Sequence, residues 1–131
     1  MLSLPPVSLD ELRFALQASW QPDTAYQSVD EPGNPALGQC YPTSSVVQWF
    51  FPYFEIARGR VDTGSSIETH FWNVDARSQS AAHVDLTWQQ FPGGSRVLDY
   101  ELLDRDKLGD SPRTALRCNL LLSRVRKRLA G

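Results

Sequence analysis

Cys40, His70 and Asp85 occur in that order along the chain, and together they are the residue types a thiol nucleophile needs. An imidazole within hydrogen-bond reach of the sulfur takes up its proton and later returns one to a leaving group. A carboxylate then holds that imidazole in the useful tautomer. The chemistry these types point to is acyl transfer, with Cys40 as nucleophile, His70 as general base and acid, and Asp85 as the orienting group. His83, two residues before Asp85, is the rival base. His70 is favoured because Trp72 gives it an apolar neighbour on the same strand face, whereas His83 follows a polar loop. Oxyanion donors are also required. The Cys40 backbone N–H is the first candidate, the side-chain amides of Gln39 and Asn34 the next, with Thr43 or Trp20 as alternatives. Trp72 and Trp20 are the candidate walls of a substrate cleft.

Each member of the set has an element to hold it. Pro32, Gly33, Asn34, Pro35 and Gly38 make the approach to Cys40 a loop, while Val46, Val47, Phe50 and Phe51 recur at helical spacing. A helix therefore starts near Cys40 and stops by Phe51-Pro52, since the residue before a proline avoids the α region. A helix start offers unpaired N–H groups and a partial positive charge, which favour a thiolate and a developing oxyanion. Residues 67–74 read as a strand with His70 and Trp72 on one face, and residues 83–87 as another with His83 and Asp85 on one face. Antiparallel pairing of the two, through a polar connection at residues 75–80, brings Asp85 beside His70.

The remaining segments complete an α+β plan. Ser8-Leu9-Asp10-Glu11 has the form of a capping box and opens a helix over residues 9–19. Residues 21–37, with Pro22, Pro32 and Pro35, form an ordered loop or lid able to cover the cleft. A strand over residues 53–61 is interrupted at Gly59 and places Arg58 and Arg60 in solvent, and a turn follows at residues 62–66. Residues 97–103 give one more short strand. Ser111-Pro112 starts a last helix to about Arg128, whose cations Arg113, Arg117, Arg124, Arg126, Lys127 and Arg128 form a solvated face.

Composition sets the outer bounds. With 131 residues, 41% of them hydrophobic, the chain suits one domain with an adequate core. A net charge of -2 gives no electrostatic reason for a nucleic-acid or anionic-membrane partner, and no apolar run reaches the roughly 20 residues that span a bilayer. Two cysteines do not make a disulfide framework, and residues 1–6 lack the pattern of a signal peptide, so a cytoplasmic setting is expected. Cys118, within the last helix, reads as packing. Cys40, His70, His83 and Asp85 are all acceptable zinc ligands, but none has a short ligand spacing, and neither metal nor cofactor is expected.

Gly38-Gln39-Cys40, His70-Phe71-Trp72-Asn73 and Asp85-Leu86-Thr87 resemble the Gly-Gln-Cys, His-x-Trp and Asp-x-Thr elements of the transglutaminase-like core, within the wider papain-like group. A closer resemblance is to a small bacterial family, the YunG-like proteins. It runs through residues 12–20, Asn34 to Cys40, Val46-Val47-Gln48, the His70 strand and Val84 to Thr87. The resemblance implies an α+β thiol-enzyme core: a helix start carrying the cysteine, packed on a small antiparallel sheet, with helices at both termini. The acid usual near the His-x-Trp strand of transglutaminases is Asn73 here, and no calcium-site spacing is present, which argues against calcium-activated crosslinking. The expected activity is a cysteine-dependent amide hydrolase, deamidase or peptidase acting on an amide- or thioester-containing substrate, a class that includes proteins and peptides. The alternative is a catalytically silent binding or structural domain on the same core. Oligomeric state is left open.

Overall fold

The computed structural model describes residues 7–77, 81–105 and 109–131, which form an α+β fold of three α-helices and a curled four-stranded antiparallel sheet. The chain start, the end of the connection expected at residues 75–80 and part of the charged run after Asp104 lie outside the described residues.

Helix α1 (Leu9–Ser19) opens on the expected capping box: the Ser8 hydroxyl accepts from the Glu11 N–H at 3.1 Å, and the Glu11 carboxylate accepts from the Ser8 N–H. Its apolar side, Leu12, Ala15 and Leu16, enters the main core. Helix α2 (Cys40–Phe50) contributes Val46 and Val47 to the same core, and helix α3 (Pro112–Ala130) contributes Leu121 and Val125. Ser111 caps α3 through its hydroxyl, and Pro112 occupies the first turn, where no N–H is needed. Burial of these side chains against one another is the main stabilising term, roughly 1.5–3 kcal/mol for each large aliphatic residue.

Residues 21–37 run mostly in solvent and are anchored by three buried residues, Thr24, Ala25 and Ala36. Two short 3-10 turns, Pro22–Thr24 and Tyr26–Ser28, lie in the first half of the segment. Arg124 of α3 grips the Asp23 carboxylate at 2.7 Å, holding its pKa below the usual carboxylate range through that hydrogen bond. Gly38 closes the segment with φ +77°. A Cβ there would sit 2.7 Å from Val29 Cγ2, so both the conformation and the space call for glycine.

The strands are β1 (Phe54–Asp62), β2 (Ile67–Asp75), β3 (Ala82–Val84) and β4 (Arg96–Leu102), in the order β3-β2-β1-β4. Two expectations are corrected here. Strand β1 runs unbroken through Gly59, which pairs with His70 on one side and Tyr100 on the other. Glycine is needed because the Trp72 indole lies over it: a Cβ would come 2.4 Å from Trp72 Cη2. Strand β3 ends at Val84 rather than Thr87, and only Asn73, Val74 and Asp75 of β2 pair with it. Beyond that point Asp85 leaves the ladder. Its Oδ1 accepts from the Thr87 N–H at 3.2 Å, a local turn bond that competes with strand pairing. The chain then winds into a 3-10 turn at Trp88–Gln90.

Candidate active site

Cys40 is the first residue of α2 and is half-buried. The preceding Gln39 provides no side-chain cap, so the first-turn N–H groups of α2 are not covered by their own N-cap residue. Pro42, in the same turn, has no N–H to leave unpaired. The helix is fastened to β2 behind the thiol. Asn73 donates its side-chain amide to the Ser44 carbonyl at 3.1 Å, and Tyr41 meets Phe71 edge to face at a centroid distance of 5.0 Å. The Tyr41 hydroxyl also donates to Asp110 at 2.6 Å; burial first, and that carboxylate second, raise the phenol pKa above its ordinary value.

His70 is fully buried, three residues beyond the part of β2 that pairs with β3. The gap beside it is filled by the turn that carries Asp85. His70 Nε2 and Asp85 Oδ2 are 2.7 Å apart, and Asp85 remains partly open to water with 20% of its side chain exposed. The ring is boxed by aromatics: Trp72 stacked at 5.6 Å, Phe91 edge-on at 4.8 Å and Trp88 at 6.0 Å. Nδ1 is buried with no hydrogen-bond partner of ordinary geometry, yet Cys40 is close enough to act on the charge of the ring. Burial pushes the His70 pKa down, but the hydrogen bond to Asp85 and the interaction with Cys40 outweigh it and raise the pKa to about 9.

The structure thus brings Cys40, His70 and Asp85 into one neighbourhood and places the other candidates elsewhere. His83 is exposed on β3, where its Nδ1 accepts from the Trp72 indole N–H at 2.9 Å. The Gln39 side chain is 2% exposed and bound into the 21–24 turn: its Nε2 donates to the Gln21 carbonyl at 2.9 Å, and its Oε1 accepts from Thr24 at 2.8 Å. Asn34 donates to the Gln90 carbonyl at 3.0 Å, tying the 21–37 segment to the turn that borders His70. Trp20 is a correction: it belongs to the main core and donates to Thr43 Oγ1 at 3.0 Å, so neither it nor Thr43 stands as a free wall or donor. Trp72 is 4% exposed and acts as a floor under His70 rather than an open cleft wall. Trp88 and Phe91 are not among the residues the sequence points to as site candidates, and Thr87 enters there only through the Asp-x-Thr resemblance. Their signal is the run Asp85-Leu86-Thr87-Trp88 to Phe91, in which a turn that frees the carboxylate also delivers two rings to the imidazole.

Among the described residues, no group of three or more His, Cys, Asp or Glu is arranged to hold a metal ion. No described helix is long and apolar enough to cross a membrane. A cleft of about 710 Å³ lies between the end of α2, the start of α1 and the C-terminal half of α3, lined by Phe50, Glu11, Leu122 and Arg126 among others. It is at the opposite end of α2 from Cys40, about 15 Å along an 11-residue helix.

A sequence model of the YunG protein family matches residues 8–130. The chain belongs to that family. No curated protein and no solved structure matches it.

Proposed function

We propose that the protein is a cysteine-dependent acyl-transfer enzyme of the amide hydrolase, deamidase or peptidase type, built on a papain-like arrangement of Cys40, His70 and Asp85. The observation that carries this is the polarity of the His70 ring. Nε2 is taken by Asp85 at 2.7 Å, while Nδ1 has no hydrogen-bond partner and Cys40 acts on the ring as a near neighbour. An imidazole held at one nitrogen by a carboxylate has only the other free for proton transfer.

In the first half-reaction the Cys40 thiolate forms a C–S bond to the substrate carbonyl carbon, and the C=O electron pair moves onto oxygen. The N–H groups at the α2 start stabilise that oxyanion. Collapse breaks the carbonyl–nitrogen or carbonyl–sulfur bond, and the His70 imidazolium gives its proton to the leaving group. Water then attacks the acyl-Cys40 carbonyl with His70 as base, releasing the acid and restoring the thiol. Asp85, fixed by Thr87, keeps the ring from rotating in both halves.

A second reading has one observation in its favour. The total burial of His70 fits a domain that retains the core for binding or structure and catalyses nothing. A panel of amide and thioester probes, read by intact mass on the full chain, separates the two. An adduct on Cys40 that turns over in the wild type and is absent from Cys40→Ala supports the enzyme. Failure of every probe to label native Cys40, with labelling only after denaturation, supports the silent domain.

A further inference from the structure

One side chain joins the loop that leads into Cys40 to the turn that walls His70, and we propose that this side chain, Asn34, is a positioning residue for the Cys40–His70 pair. The role rests on the reading of that pair as catalytic, and it is exerted through the backbone rather than on substrate.

Residues 85–95 lie outside the sheet, since β3 ends at Val84 and β4 begins at Arg96. Within this stretch the hydrogen bonds are local: the Gln90 N–H and Nε2 both donate to the Thr87 carbonyl, at 3.0 and 3.1 Å, and the Phe91 N–H donates to the Trp88 carbonyl at 3.0 Å. Local bonds shape a turn but do not fix where it sits. Leu86 seats the first half by packing against the main core. Among the described residues, two hydrogen bonds reach the stretch from elsewhere in the chain. One joins Asp85 to His70 at 2.7 Å, and the other runs from Asn34 Nδ2 to the Gln90 carbonyl at 3.0 Å. Asn34 is therefore the polar anchor of the half that delivers Trp88 and Phe91 to the imidazole.

Asn34 is itself tied to the nucleophile by bonded turns. Its N–H donates to the Glu31 carbonyl at 3.0 Å, its carbonyl accepts from the Leu37 N–H at 3.2 Å, and the Ala36 carbonyl accepts from the Gln39 N–H at 3.0 Å. Ala36 and Gln39 are 0% and 2% exposed, and Gln39 directly precedes Cys40. A displacement at Asn34 thus has little slack through which to dissipate before it reaches the start of α2.

The His70 ring is hydrogen-bonded at Nε2 alone, so its setting otherwise depends on the Trp72 ring stacked against it and the Phe91 ring at its edge. Releasing the Gln90 carbonyl would let the Phe91 side of this box open and admit water to Nδ1, the nitrogen the thiol needs. Misplacement of a reacting group by about 1 Å can cost as much as 10²-fold in rate.

The test is the pH profile of Cys40 alkylation by iodoacetamide in Asn34→Ala and in Asn34→Asp, which keeps the size but sets an acceptor against the Gln90 carbonyl. Both are made in the full chain carrying Cys118→Ala, with folding checked by circular dichroism. Iodide displacement by the sulfur builds no oxyanion, so its rate reports the setting of thiol and imidazole and not oxyanion donation. The expected result is a rate near pH 7 about 5–10-fold lower in both variants, with the rise of the rate moved to higher pH. Asp23→Asn, which loosens the same segment at its Arg124 anchor, should stay within about 2-fold. Variant profiles that superimpose on the wild type while His70→Ala slows would overturn the role of Asn34 and leave the proposed function standing; an unchanged His70→Ala profile would remove both. Equal slowing in Asp23→Asn, or unchanged alkylation with lost turnover of an acyl probe, would also overturn it. In the wild type, an NMR contact between the Asn34 side-chain amide protons and the backbone of Gln90 or Phe91 is required, and its absence would overturn the assignment even if neither variant folds.

Discussion

The two cysteines sit on adjacent helices and differ in almost everything that governs sulfur chemistry. Cys118 lies in the middle of α3, buried among packed side chains, and burial raises its pKa to about 11. Cys40 lies at the first position of α2, half-exposed, with an imidazole nearby whose far nitrogen is fixed by a carboxylate. The two histidines repeat the contrast: His70 is boxed by aromatic rings and bound to Asp85, whereas His83 accepts a bond from an indole at the surface. Position on an element, rather than residue type, separates the Cys40–His70 pair that the proposed function uses from Cys118, which packs, and His83, which lies at the surface.

That contrast can be broken in order of expected effect. Native protein treated with iodoacetamide near pH 7 should be alkylated at Cys40 at least ~100-fold faster than at Cys118, because a thiol raised that far is almost entirely protonated. Peptide mapping after a timed quench reads the ratio, and comparable rates at the two sites would erase the distinction. Asp85→Asn, which removes the charge that orients His70, should slow Cys40 alkylation by roughly 10-fold, while His83→Ala should leave it within about 2-fold. The reverse ranking would make His83 the base.

A smaller effect concerns stability. The His70 pKa is raised from 6.5 to about 9, so the folded state binds the proton more tightly than the unfolded chain. The resulting stabilisation is fully present below about pH 6.5 and is lost as pH rises through about 9, a change on the order of 1–3 kcal/mol. Urea midpoints at the two pH extremes should show that loss in the wild type, and the loss should shrink in Asp85→Asn. An equal loss in both proteins would place the titration on another group.

Much of the framework was legible because it is written in local signals. The Ser8 capping box, the Ser111-Pro112 start and the Phe51-Pro52 stop mark helix ends through contacts only a few residues apart. The strand face shared by His70 and Trp72 follows from alternation alone. Other features depend on partners far away in sequence. Gly59 reads as a break in a strand until the Trp72 ring is seen to occupy the place of its side chain. Gln39 and Trp20 look like free polar groups near the thiol until the 21–24 turn and Thr43 take up their hydrogen bonds. The end of β3 at Val84 could not be read from apolar alternation, which continues through Leu86. Asp85 instead turns out of the ladder through its bond to Thr87, and that departure leaves the carboxylate at His70.

The most direct measurement is the pH profile of Cys40 alkylation in the wild type and in His70→Ala, on a Cys118→Ala background that leaves a single thiol. The expected result is modification of the native wild type well below pH 8, slowed in His70→Ala by ~100-fold near pH 7 and restored only as pH approaches the ordinary cysteine range. Superimposable profiles for the two proteins, or reaction only after denaturation, would show that His70 does not serve the Cys40 sulfur.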